Sequence, residues 1–144
     1  MIEFVREPID LNRVSSFCSM DRVGAVSLFV GITRRFTGNI ETLCLEYEAY
    51  ESMATMKMLE LTTRVAQQWQ IERVAFVHRL GRVAIGETSM VVAVGSAHRG
   101  NAIDACHWIV ERVKAEVPIW KKEHYAEGDP KWIHPVKSYP VQNK

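Results

Sequence analysis

No stretch of this chain is apolar for long enough to cross a bilayer as a helix. The opening residues, MIEFVREPIDLN, carry acids and no long apolar run, so no secretory leader is expected. Cysteine is scarce. Cys18, Cys44 and Cys106 form no Cys-x-x-Cys pair and are odd in number, which argues against a disulfide framework or a structural zinc site. Reduced thiols in a cytoplasmic protein fit this usage. There is no internal repeat, no low-complexity stretch and no linker. There is also no phosphate-loop glycine pattern, no Ser-His-Asp order and no His-x-x-x-His metal spacing. Neither a metal ion nor a cofactor is therefore expected. Charge of one sign is lacking too: the net charge is +1, which speaks against a broad nucleic-acid surface. A small basic pocket stays open, because net charge says nothing about clustering.

What is present suits one domain spanning residues 1–144, with a flexible tail from about 135 to 144. The 144 residues are enough to bury a core, and 47% hydrophobic with 24% charged is ordinary for a globular chain. Residues 2–6 read as a short strand, and Asp10 is placed to cap a helix reaching about Met20. The run from Gly24 to Thr33 is apolar and β-rich, a buried strand. Residues 34–39 are polar and turn-like, with Gly38-Asn39 as the turn signal. From Glu41 to Tyr47 polar and apolar residues alternate, which predicts Leu43, Leu45 and Tyr47 on one face. From about Glu51 to Trp69 the period becomes helical, with Met53, Met56, Leu59, Val65 and Trp69 as the stripe. Residues 72–80 and 88–96 read as strands separated by Gly81 and Gly86, joined as a hairpin or by a longer connection. A second long helix spans about Asn101 to Val117, with Ile103, Cys106, Ile109 or Val110, and Val113 inward, and Pro118 ends it. Residues 119–144 read as irregular with one short strand. The order strand, helix, two strands, helix, two strands, helix predicts an α+β domain with a mixed or antiparallel sheet.

Three segments concentrate cationic groups. Ser96-Ala-His98-Arg99-Gly100-Asn101 joins a strand to a helix N-terminus, where free N–H groups and the helix dipole favour an anion. His98 and Arg99 there are unfavourable for the helix, and a bound phosphate would offset that cost. The alternative is two solvated loop side chains. Lys114 borders the apolar stripe of the second long helix, followed by Pro118-Ile-Trp-Lys121-Lys122-Glu123. A lysine at a partly dry edge suits nucleophilic or proton-transfer work, and Trp120 beside two lysines offers a wall for a flat ligand. A lysine in the last turn also simply favours the helix dipole, and on these residues alone that plain reading prevails. Arg34-Arg35 follow the buried strand; guanidinium groups bind phosphate as a fork, but on these residues alone a solvated turn is the favoured reading. His78 reads as a satisfied strand histidine, Met53, Met56 and Met58 as core or interface, and Glu46 and Glu48 as solvent-facing.

Taken as an ordered set, several pieces resemble the MoaE family, the large subunit of molybdopterin synthase. They are Gly24-Ala-Val…Phe29-Val-Gly31-Ile-Thr-Arg34, then Leu45-Glu-Tyr47-Glu-Ala-Tyr50…Met53-Ala. Val77-His-Arg-Leu-Gly81…Gly86-Glu87, Ser96-Ala-His-Arg99 and Lys114…Pro118-Ile-Trp-Lys-Lys-Glu123 follow. The resemblance runs from about residue 3 to about residue 134. It implies an α/β-hammerhead-like fold with an additional β subdomain, and a large-subunit homodimer within a heterotetramer. Each large subunit binds a small ubiquitin-like subunit whose C-terminal Gly-Gly thiocarboxylate enters a pocket. The implied substrate is cyclic pyranopterin monophosphate, and two sulfur transfers make the dithiolene of molybdopterin. By position, Lys114 and Lys121 would be catalytic, while Arg34, His98 and Arg99 would bind the anionic substrate. Family members can add an arginine near the C-terminus, reaching across the dimer. This chain has none after Arg112, leaving Lys131 or Lys137, which lack the guanidinium fork.

Two other functions compete with the sulfurtransferase. A scaffold or regulatory module would keep the ubiquitin-like partner without catalysis; a different phosphate-ligand enzyme would need no channel for a glycine tail. Convergence of Lys114 and Lys121 with Arg34, His98 and Arg99 in one pocket would favour the sulfurtransferase.

Overall fold

The computed structural model describes residues 1–133. Chain order is β1 (Ile2–Val5), α1 (Leu11–Cys18), β2 (Ala25–Ile32), β3 (Phe36–Thr37), β4 (Ile40–Ala49), α2 (Glu51–Gln68), β5 (Arg73–Arg79), β6 (Gly81–Ala84), β7 (Thr88–Ser96), α3 (Arg99–Glu116), β8 (Ile119–Tyr125) and β9 (Lys131–Ile133). A four-stranded sheet has the order β1-β5-β7-β2, with β1 parallel to β5 and the other pairs antiparallel. A second, antiparallel sheet joins β3, β4, β8 and β9, with β6 also pairing β4. This is the α+β layout with an additional β subdomain.

Local signals set the start of α1 and the end of α3. Asp10 caps α1, its carboxylate accepting from the Arg13 N–H at 3.1 Å. α3 stops at Val117, immediately before Pro118. The central strands β5 and β7 are buried on both faces and carry near-continuous apolar runs, whereas β2, expected as a buried strand, is a half-buried edge strand with Leu28 and Ile32 exposed. On one face α2 and α3 bury Met58, Leu61, Ile109 and Val113 against Phe76, Val92 and Val94. On the other, α1 buries Val14 and Cys18 against Ala75, Val77, Val91 and Ala93. At Gly95 an added Cβ would come within 2.4 Å of the Cys18 carbonyl oxygen, so only glycine lets the end of α1 approach β7 this closely.

Several expectations are corrected by the packing. The buried stripe of α2 is Ala54, Met58, Leu61 and Val65, while Met53, Met56 and Leu59 are exposed. Both stripes have helical spacing, and the smaller Ala54 hides the true one. On α3 the buried residues include Ala102, Ala105 and Cys106, while Ile103 faces out. Leu43 does not share a face with Leu45. Pairing of β4 with β8 passes from Thr42↔Tyr125 directly to Cys44↔His124, so Leu43 is the extra residue of a bulge and is turned outward. After Pro118, where the sequence predicts one short strand in an irregular segment, the described residues form two: β8 pairs along β4 from Ala49 to Thr42 and receives β9 on its other side. Gly81 and Gly86 bracket β6, which leaves the first sheet to pair with β4. The tail expected from about 135, and Lys137 with it, lie outside the described residues.

Candidate active site

The two sheets meet at the C-terminal end of α3 around a cavity of about 580 Å³. Phe29, Gly31 and Ile32 of β2 form one side, Leu45 and Tyr47 of β4 another. His78 of β5 and Ser89 and Met90 of β7 also line it. Arg34 follows β2, Glu111 and Lys114 come from α3, and Lys121 and Glu123 come from β8.

The strand period explains β8. Lys121 and Glu123 are two residues apart and face the same way, opposite Tyr47 and Leu45 in register. The same period excludes Trp120, which is not among the cavity residues and is exposed, so it supplies no wall for a flat ligand there. Lys122 lies over the Trp132 ring, 5.5 Å from its centroid.

Three cations and two carboxylates share the cavity, and each cation has a distinct setting. Lys114 Nζ lies 6.0 Å from the centroid of the Phe29 ring, within cation–π range. Lys121 Nζ is 2.7 Å from Glu123 Oε1. Arg34 donates weakly to Thr37 Oγ1 at 3.5 Å, its one side-chain hydrogen bond among the described residues. The preceding residue is anchored firmly. Thr33 N–H donates to the Glu87 carbonyl at 3.0 Å, and its own carbonyl accepts from Gly86 N–H at 2.9 Å. Glu87 in turn accepts from Arg79 at 3.1 Å and from the Ala84 N–H at 2.8 Å. Backbone capping by Ala84 is the main reason its carboxyl lies below the ordinary carboxylate range.

Burial pushes the Tyr47 phenol up, with a hydrogen bond to Ser89 working against it. Tyr47 stands edge-to-face against His78, ring centroids 4.8 Å apart. Burial lowers the His78 pKa to about 4, so the imidazole is neutral at ordinary pH.

His98 and Arg99 lie elsewhere. They line a second cavity of about 430 Å³ at the N-terminus of α3, with Gly24, Ala25, Ala97 and Gly100. His98 is the N-cap residue yet makes no side-chain cap bond. A Cβ on Gly24 would lie 2.4 Å from the Ala97 carbonyl oxygen, so glycine is needed where β2 begins beside this loop. Arg99 and Lys114 are fifteen positions apart on one helix, about 22 Å along its axis. Within a single chain the structure therefore joins Arg34, Lys114 and Lys121 and sets His98 and Arg99 apart. Lys131 is exposed on β9, whose Ile133 reaches the larger cavity.

Sequence reasoning passed over Tyr47, Ser89, His78 and Glu123 as site residues. For Glu123 a signal existed, the i,i+2 relation to Lys121. For Tyr47 and Ser89 none did, because their roles depend on which strands from two sheets face each other. Chemically, two ammonium groups and a guanidinium around a partly apolar cavity can hold an anion and neutralise charge developing on oxygen or sulfur. The chain's own thiols are poorly suited to carry sulfur. Cys18, Cys44 and Cys106 are buried, and burial raises the pKa of Cys18 and Cys106.

Comparison with known proteins places this geometry. The family model described as MoaE protein matches residues 4–116. The molybdopterin synthase catalytic subunit of Arabidopsis thaliana is 40% identical over 131 residues, covering 90% of this chain and 66% of that protein. The Bacillus subtilis protein of the same name is 37% identical over 131 residues, covering 91% of this chain and 83% of that one. The crystal structure of molybdopterin synthase from Staphylococcus aureus superposes with a TM-score of 0.87 at 37% identity, over 92% of this chain and 96% of that one. Sequence match and architecture agree, and the chain belongs to the MoaE family.

Proposed function

We propose that this chain is the catalytic subunit of a molybdopterin synthase. It takes sulfur from the C-terminal thiocarboxylate of a small ubiquitin-like subunit and delivers it twice to cyclic pyranopterin monophosphate, forming the dithiolene. The observation that carries this reading is the convergence of Lys114, Lys121 and Arg34 on one cavity of about 580 Å³, within the usual size range of ligand sites. Arg34 holds an anionic group of the substrate. Lys114 and Lys121 position the thiocarboxylate, move protons and offset negative charge as the sulfur leaves the acyl carbon. With its own thiols buried, the chain is served by sulfur arriving on a partner. The cytoplasmic setting of the proposal suits three free thiols. Among the described residues, no helix is long and apolar enough to cross a membrane.

The second cationic site sharpens the proposal. If His98 and Arg99 act on the same substrate as Lys114, the α3 N-terminus that supplies them must belong to a second copy of the chain, since one helix cannot fold its two ends together. A homodimer within a heterotetramer fits that demand. Lys131 remains the described cation available near the C-terminus.

The test is reconstitution: purified chain, thiocarboxylated small subunit and cyclic pyranopterin monophosphate, with dithiolene as readout. Product from the wild type supports the proposal. A stable complex without product points to the scaffold function, and no complex overturns both.

A further inference from the structure

The segment Val77-His-Arg-Leu-Gly81 contains a residue whose placement the reaction above does not yet use. Phe76 and His78 of β5 face the same side of the sheet, and across the ladder His78 opposes Phe4 on one side and Met90 on the other. It thus interrupts an otherwise apolar row, where a methionine or leucine would pack without the cost of burying a polar ring. Only 4% of the residue is exposed, and it lines the cavity that holds Lys114.

Its two nitrogens have different fates. Nδ1 lies 2.9 Å from the Arg79 carbonyl oxygen, which can only accept, so Nδ1 carries the proton. In a neutral ring Nε2 is then a bare lone pair. Among the described residues no donor reaches it, and it is not among the fully enclosed side-chain atoms lacking a partner. Among the described residues Nε2 is thus an unpartnered lone pair on a ring that lines the cavity. The cavity's cationic groups, Arg34, Lys114 and Lys121, are donors that select anions, and its Glu111 and Glu123 are acceptors on α3 and β8.

We propose that His78 Nε2 is a built hydrogen-bond acceptor for a neutral N–H group of the cavity's occupant, orienting it with its anionic end toward Arg34 and the lysines. This rests on the function proposed above and deepens it. A lone pair repels phosphate and thiocarboxylate oxygens and welcomes amide-type N–H. The pterin ring and the peptide bonds of an extended glycine tail both supply that group. His78 is accordingly a specificity-determining contact.

Two substitutions separate this from a purely structural role. His78→Asn keeps a donor near Nδ1 for the Arg79 carbonyl but loses the acceptor at Nε2. His78→Gln keeps an oxygen near Nε2 and loses the Nδ1 donor. Each variant, checked for its thermal transition, is titrated with cyclic pyranopterin monophosphate and separately with the small subunit ending in an ordinary Gly-Gly carboxylate. The expected result is that Asn weakens one of the two by roughly tenfold while Gln stays within about threefold of wild type. Weakened pterin binding identifies a ring N–H, and weakened small-subunit binding a tail amide. The reverse order, with Asn normal and Gln impaired, overturns the proposal and makes His78 a strut for the β5 carbonyl. If neither variant folds, the wild-type chain decides by ¹⁵N spectroscopy. The Nε2 resonance should move upfield on saturation with one of the two probes, and an unmoved resonance with both refutes the contact. Failure of the wild type to bind either probe strikes at the proposed function itself, a different outcome from failure of the variants alone.

Discussion

At its C-terminal end α3 delivers Lys114 into a cavity shared with Lys121, Arg34 and a buried imidazole. At its N-terminal end the same helix presents His98 and Arg99 on an open surface among Gly24, Ala25, Ala97 and Gly100. The two ends are opposite in electrostatic logic. A lysine at the C-terminus is favoured by the helix dipole, whereas cations at an uncapped N-terminus oppose it. The first arrangement is stable by itself, and its chemical role rests on the groups opposite. The second has an electrostatic cost that an anion would remove. One end suits chemistry on a ligand held by several elements, and the other suits capture of negative charge.

The largest effects should come from separating these roles by mutation. Lys114→Ala is expected to reduce kcat on the order of a hundredfold or more, with complex formation preserved, because it removes charge at the reacting end. The pair His98→Ala and Arg99→Ala is expected to act mainly on KM for the phosphate-bearing substrate, by roughly tenfold to a hundredfold. Steady-state kinetics in the reconstituted system read both. An equal fall in kcat from the second pair would erase the distinction between the ends.

Co-expression of the two mutants asks whether both ends serve one site. If His98 and Arg99 of one protomer complete the neighbour's cavity, a mixed dimer holds one site with both defects and one with neither. Random pairing then restores about a quarter of wild-type activity. If each chain works alone, mixing restores nothing.

How far these two ends were legible in the sequence differs for a physical reason. What favours an anion at Ser96-Ala-His98-Arg99 is local, a strand running into a helix start, and β7 does run into α3 there. The grouping of Lys114, Lys121 and Arg34 is not local, and physics applied to the chain alone favoured plain surface readings for Lys114 and Arg34. What joined them was the family resemblance, and the structure adds the walls that resemblance did not name. The strands β5 and β7 were readable because both their faces are buried and their apolar runs are near-continuous. The α2 stripe was misread because methionine and leucine outweigh alanine on a hydrophobic count, although Ala54 is buried and Met56 exposed. Within residues 119–144 only one short strand was expected and it was not placed, because the Lys-Lys-Glu-His sequence of β8 resembles a loop. Its backbone is satisfied by β4, and its cavity-facing charges by one another.

The cavity end should also leave its mark on acid stability. The His78 pKa falls from 6.5 to about 4 on folding, chiefly through burial. Between those values the unfolded chain binds a proton at this residue that the folded chain does not. Stability is therefore retained above pH 6.5 and declines as the pH drops toward 4, by roughly 3 kcal/mol at most from this residue. Chemical denaturation from pH 7 to 4 should show a steeper acid limb in the wild type than in His78→Phe. Equal slopes would mean that the imbalance resides elsewhere.

The smallest effects test the middle of α3, which holds the two ends in fixed relation. Ile109 is fully buried against the sheet, whereas Ile103, six positions earlier, is 55% exposed. Ile109→Ala removes buried methyl groups and leaves a cavity, so a loss of about 2–5 kcal/mol is expected from urea unfolding. Ile103→Ala should stay within about 0.5 kcal/mol, since it removes little buried area. A large cost at Ile103 at high protein concentration, absent on dilution, would show that this exposed face of α3 is covered by a second copy. A small cost at every concentration would leave α3 anchored through its buried stripe alone. The N-terminal cations would then have to reach any neighbouring cavity from the helix end, not through an interface along its length.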